Sequence, residues 1–107
     1  MMKILSKAVG ELVQEEYSRA SEQHGAHHHS PHEAYAVIKE ELEEAQHEIA
    51  IVEDKLNHDF WKAVRTDDVY GCKVNAEIIQ KRAEAAAAEM IQVAAMALKA
   101  QQGFEEE

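Results

Sequence analysis

The stretch from Pro31 to Val64 constrains this chain most, because its apolar residues recur at helical spacing and nothing interrupts them. Ile38, Leu42, Ala45, Ile49, Val52 and Leu56 alternate steps of four and three residues, a seam of the heptad type that carries on towards Phe60 and Ala63. Its start is marked chemically. Ser30 stands where an N-cap belongs, Pro31 takes the first helical position, where a missing N–H costs nothing, and Glu33 follows three residues after the cap. One long helix, straight or kinked, is therefore expected over 31–64.

Two more helices flank it. Leu5, Ala8, Val9, Leu12, Val13 and Tyr17 share a three-and-four spacing, which predicts an amphipathic helix over 2–22. A polar, histidine-rich connector, 23–30, follows it and contains Gly25. After "TDDVYGC", with Asp67 or Asp68 as the cap, a third helix is expected over 72–101. Ile79, Ala83, Ala86, Met90, Val93, Ala94 and Ala97 form its apolar face, and such small residues let a neighbouring helix approach closely. Gly103 ends it, and 102–107 is read as a flexible acidic tail. With four glycines and one proline in 107 residues, there is little provision for tight turns. The expectation is an all-α fold: one domain, an antiparallel bundle of three long helices. Its alanine-rich core is thin for a monomer, so completion by oligomerisation is expected as well.

Charge narrows the partners. The formal net charge of -10 repels nucleic acid and anionic lipid, and no basic cluster reverses this locally. Acidic and polar residues interrupt the N-terminal apolar run too early for a signal peptide or a membrane span. The single cysteine, Cys72, excludes an internal disulfide and fits a reducing cytoplasm. A phosphorylated partner is still compatible with so acidic a chain if divalent cations stand between them.

"KEELEEAQHE", residues 39–48, is the densest chemistry in the chain. With Ile38, Leu42, Ala45 and Ile49 at the centre of the buried stripe, a turn of about 100° per residue puts Glu41 about 60° from that centre. Glu48 and Glu44 lie further round on the same side, whereas Glu40 and Glu43 face water. On the third helix, Glu89, Arg82 and Gln92 share one flank of Met90. If the stripes pack, Glu89 approaches the Glu41–Glu44 row, and carboxylates crowded in a half-buried place persist with cations or with protonation. Hard oxygen donors suit Mg2+ or Mn2+ better than zinc. The plainer reading is a solvated helical face, since glutamate is a strong helix former and surface pairs are worth little.

"YAVIKEELEEAQHEI" and "AAAAEMIQVAAMALKA" together resemble the two helical signatures of the MazG-like, all-alpha nucleoside triphosphate pyrophosphohydrolases. The likeness covers residues 31–101. Glu40, Glu41 and Glu44 match that family's E-E-x-x-E pattern, and Glu89 matches the glutamate of its E-x-x-D. Gln92 stands where the aspartate belongs, and an amide brings an acceptor without a charge. The resemblance implies Mg2+ (Mn2+ as an alternative) on Glu41, Glu44, Glu89 and Gln92; helix geometry adds Glu48, one turn beyond Glu44, as a substitute for the missing ligand. It implies cleavage of a nucleoside triphosphate to monophosphate and pyrophosphate, with Glu41 and Glu44 catalytic, by a homodimer or homotetramer. Lys39, Lys81 or Arg82 would then meet the phosphates, while Tyr35, Phe60, Trp61 and Tyr70 are the aromatics on which a base would stack. Gln92 keeps an alternative open, a catalytically degenerate member that binds nucleotide or metal, or serves as a structural oligomeric module.

His24, His27, His28, His29 and His32 fall within nine residues, a density that captures Zn2+ or Ni2+. Without a cysteine nearby they read more simply as a polar connector, with His28 or His32 placed for an anion at the following helix N-terminus. No glycine-rich phosphate loop, nucleophile elbow or zinc-protease helix is present.

Overall fold

The computed structural model describes residues 2–103 and is helical almost throughout. Its elements are α1 (Met2–His24), α2 (Pro31–Asp54), a π-helical turn (Lys55–Phe60), α3 (Trp61–Arg65) and α4 (Val69–Gly103). No strand occurs among the described residues. The all-α expectation therefore holds, and the long second helix extends to Arg65 through one π-helical irregularity. Of the acidic tail, Gln102 and Gly103 belong to α4, and the remainder lies outside the described residues.

Internal contacts divide the chain into two compact units, residues 1–42 with 89–107 and residues 43–88. The first unit combines α1, the connector, the start of α2 and the end of α4. Ala20, Ala34 and Ala95 are its buried apolar residues. From Ile91 to Ala100 no residue of α4 is exposed, so this stretch is the unit's central helix. The α2 entry is capped as the sequence indicates: the Glu33 N–H donates to Ser30 Oγ at 3.1 Å. The reciprocal bond is displaced by one residue, because Glu33 Oε1 accepts from the His29 N–H at 3.3 Å and not from the cap's own N–H.

The second unit contains the end of α2, the π-helical turn, α3 and the start of α4. Ala45, Ala63 and Ala86 are its buried apolar residues. Thr66, Asp67 and Asp68 reverse the chain, with Asp67 in the left-handed region at φ 53°. Asp68 caps α4: its Oδ1 accepts from the Gly71 N–H at 2.8 Å. A Cβ at position 71 would collide with the Asp68 carboxylate and stand 3.2 Å from the Ala63 Cβ, so a side chain there would have to displace the Asp68 cap. Asp68→Ala is expected to cost about 1 kcal/mol, the usual value of an N-cap, read as a lower midpoint in urea at unchanged slope.

Helix rotation is where the structure departs from the sequence expectation. Along α2 the positions that are not exposed are Glu33, Ala34, Val37, Ile38, Glu41, Ala45, Glu48, Ile51 and Val52. They share one side of the helix, turned round from the predicted stripe towards Glu41 and Glu48. Leu42 and Ile49, expected at the centre of that stripe, are 37% and 40% exposed. Met90 of α4 is likewise exposed, while its neighbour Glu89 is half-buried. Alanine explains the turn. A helix approaches another most closely over residues without bulk, and Ala34, Ala45, Ala86 and Ala95 supply those positions, leaving the wide side chains to the flanks.

Candidate functional site

Rotation towards the alanines carries glutamates inward with them. Glu41 and Glu89, both in the first unit, are half-buried and bring carboxylate oxygens within 4.8 Å of each other. Glu44 follows Glu41 by one turn of α2, is exposed, and places an oxygen within the same 4.8 Å of Glu41. Glu89 Oε2 is fully buried and has no hydrogen-bond partner among the described residues. A carboxylate oxygen taken out of water without a partner is costly, and a bound cation or a proton is what removes that cost. Oxygens bound to one Mg2+ at its usual distance stand no more than about 4.2 Å apart, so small side-chain movements would bring this set onto one ion. The donors fit a hard divalent cation.

The other expected site residues separate from that group. Glu48 is held by Arg82, whose Nη1 lies 3.3 Å from Glu48 Oε2, both in the second unit. Each is the other's ion-pair partner, with the Arg82 side chain half-exposed. Lys39 is exposed on α2, as is Glu40. Gln92 is half-buried and lines a cavity of the first unit that Glu41 also lines.

That cavity has a volume of about 490 Å3, within the range of small-molecule sites. Arg19, His28, Glu33, Glu41, Gln92 and Lys99 supply much of its polar lining. Sequence reasoning passed over Arg19 and Lys99 entirely. Lys99 did carry a signal, since it repeats the spacing of Gln92 and Met96 on one side of α4. Its residue is only 5% exposed.

Of the five clustered histidines, one is structural. The His28 side chain is 1% exposed, its Nε2–H donates to the Met96 carbonyl at 3.3 Å, and Nδ1 stands 3.8 Å from Glu33 Oε1. It fastens the connector to α4. Among the described residues, no grouping of three metal-ligating side chains includes these histidines.

Arg19 is engaged by Glu16 through both carboxylate oxygens, with its Nε at 3.0 Å, and reaches Gln23 at 3.1 Å. Hydrogen bonding from Arg19 holds the Glu16 carboxyl below its ordinary value of 4.5, against a smaller opposing push from burial. A depressed carboxyl contributes stability above its ordinary range and loses it as pH falls through the depressed value. Arg19→Gln should therefore flatten the dependence of melting temperature on pH just below 4.5, and only slightly, since the guanidinium is solvated. Acid melts of the two proteins check this.

No family model, curated protein or solved structure matches this chain.

Proposed function

We propose that the chain is a divalent-cation-dependent hydrolase that cuts nucleoside triphosphates to monophosphate and pyrophosphate in the cytoplasm, as the MazG-like resemblance implies. The observation that carries this reading is the inward group of glutamates, with an oxygen of Glu89 buried and unpartnered. Glu41, Glu44 and Glu89 would hold Mg2+ or Mn2+. Such an ion, when bound, screens the negative charge of the triphosphate and of the protein and acidifies the attacking water. The water oxygen forms the new bond to the α-phosphorus, the bridging bond to the β-phosphate breaks, and pyrophosphate leaves. Glu41, at the edge of the cavity that Gln92 also lines, connects the carboxylate group to a space large enough for part of a nucleotide. The test is pyrophosphate release from a panel of nucleoside triphosphates with and without Mg2+ or Mn2+.

Gln92 favours a second reading, a member of the same fold that binds nucleotide or cation without turnover. Its amide lines the cavity where the family pattern has a carboxylate. Under that reading Mg2+ and nucleotide raise the melting temperature while no product forms.

Assembly belongs to the same proposal. Tyr35, Leu42, Ile49 and Leu56 follow one another at seven-residue intervals and are 68%, 37%, 40% and 51% exposed. A heptad line of large apolar side chains is the pattern one helix offers another. Because no large side chain is fully buried among the described residues, the occupant we assign to it is a second copy of this chain.

A further inference from the structure

Exposed apolar side chains do not stop at Leu56. The line of Tyr35, Leu42, Ile49 and Leu56 would arrive next at Ala63, which is buried. Exposure resumes one residue later, at Val64, with Trp61 exposed one turn before it. One added residue is what a π-helical turn supplies, and Lys55–Phe60 is such a turn. The irregularity lets Ala63 pack inward against Gly71 while the apolar line continues outward. Leu56, Asn57, Phe60, Trp61 and Val64 line the groove that results, all within the second unit. An indole 55% exposed in an apolar groove is the kind of side chain that anchors an interface.

Charge indicates what covers it. In a chain of net charge -10, residues 55–65 carry Lys55, Lys62 and Arg65 against a single acid, Asp59, which Lys55 engages at 2.7 Å. Residues 39–48 carry five glutamates and one lysine. The groove thus lies on a basic stretch that follows an acidic one along the same helical run. A parallel copy would set like charges side by side in both stretches, whereas an antiparallel copy lays the acidic stretch on the basic one. The acidic stretch also presents Leu42, and Ile49 directly after it, as exposed apolar side chains for the groove to take up.

We propose that the groove beside Trp61 receives the stretch 40–49 of a second copy, the two chains pairing antiparallel so that Lys62 and Arg65 of each face the glutamates of the other. This rests on the self-pairing read from the α2 heptad line and adds to it a direction and an anchor. Trp61 is the only tryptophan of the chain, so its fluorescence reports on the groove directly. Acrylamide quenching and sedimentation over one dilution series should show Trp61 protected in the associated species and open after dissociation. Lys62→Glu with Arg65→Glu should weaken association by about tenfold or more, and adding Glu40→Lys with Glu43→Lys to the same chain should restore it. All four side chains are exposed, so helix content by circular dichroism should not change. A wild type that is monomeric at every concentration overturns the self-pairing and this proposal with it. An associated wild type whose Trp61 quenches as freely as in the monomer overturns the groove alone, leaves the Leu42 and Ile49 pairing standing, and gives the groove to another occupant. Reversal variants that associate like the wild type, or a fourfold variant that does not regain association, overturn the antiparallel direction.

Discussion

Glu89→Gln is expected to remove cation-dependent pyrophosphate release, by about two orders of magnitude or more, and at the same time to stabilise the metal-free protein. The two effects have one cause. The carboxylates of Glu41 and Glu89, with oxygens within 4.8 Å, repel one another, and one oxygen of Glu89 is buried without a hydrogen-bond partner among the described residues. Exchanging that carboxylate for an amide relieves the repulsion and the desolvation together, so the melting temperature in chelator should rise. Mg2+ binds the native form only, and at a hundredfold excess over its dissociation constant it adds about 2.7 kcal/mol to the wild type. In Glu89→Gln that increment should nearly vanish. Glu41→Gln should behave alike in turnover, since its carboxylate belongs to the same group. Pyrophosphate release and melting curves, each with and without Mg2+, separate the possibilities. A wild type that gains stability from Mg2+ but releases nothing is the binding protein that Gln92 suggests. A wild type indifferent to Mg2+ removes the cation site altogether, and the glutamates are then a tolerated electrostatic strain.

The second large effect concerns assembly. Leu42→Lys combined with Ile49→Lys is expected to convert an associated species into a monomer without loss of helix. Both side chains belong to the exposed heptad line, so charging them costs the isolated chain little. Burying one such side chain in an interface is worth about 1.5–3 kcal/mol, and a symmetric dimer would use each twice. Two substitutions per chain therefore weaken association by several orders of magnitude. Sedimentation of wild type and variant, with circular dichroism for helix content, decides it. A monomeric wild type, or a variant that associates as before, removes the proposed self-pairing.

The helices themselves were legible because their signals are local. Ser30 caps α2 where the sequence placed it, and Asp68, one of two candidates, caps α4, since a cap needs only a side-chain oxygen three residues from an N–H. The sustained four-and-three rhythm likewise carries the helix from Pro31 to Arg65. Hydrophobic periodicity, however, assumes that the bulkiest residues mark the inward face. Here the closest packing is over alanines, and the stripe turns away from Leu42 and Ile49. No count of apolar residues along the chain could show that.

The same rotation divides what was readable in the site. The spacing of Glu41 and Glu44 is a property of one helix, so their adjacency follows from sequence. The approach of Glu89 depends on how two distant segments pack, as does the pairing of Glu48 with Arg82 across 34 residues. His28 is a further case: a histidine in a polar connector gives no local sign of burial, yet it is held inside the first unit. Helix, cap and charge spacing are decided by neighbours within about one turn, and the sequence alone determines them. Which face turns inward and which acids meet are decided by the closeness that alanine permits between helices, a quantity that exists only in the tertiary structure.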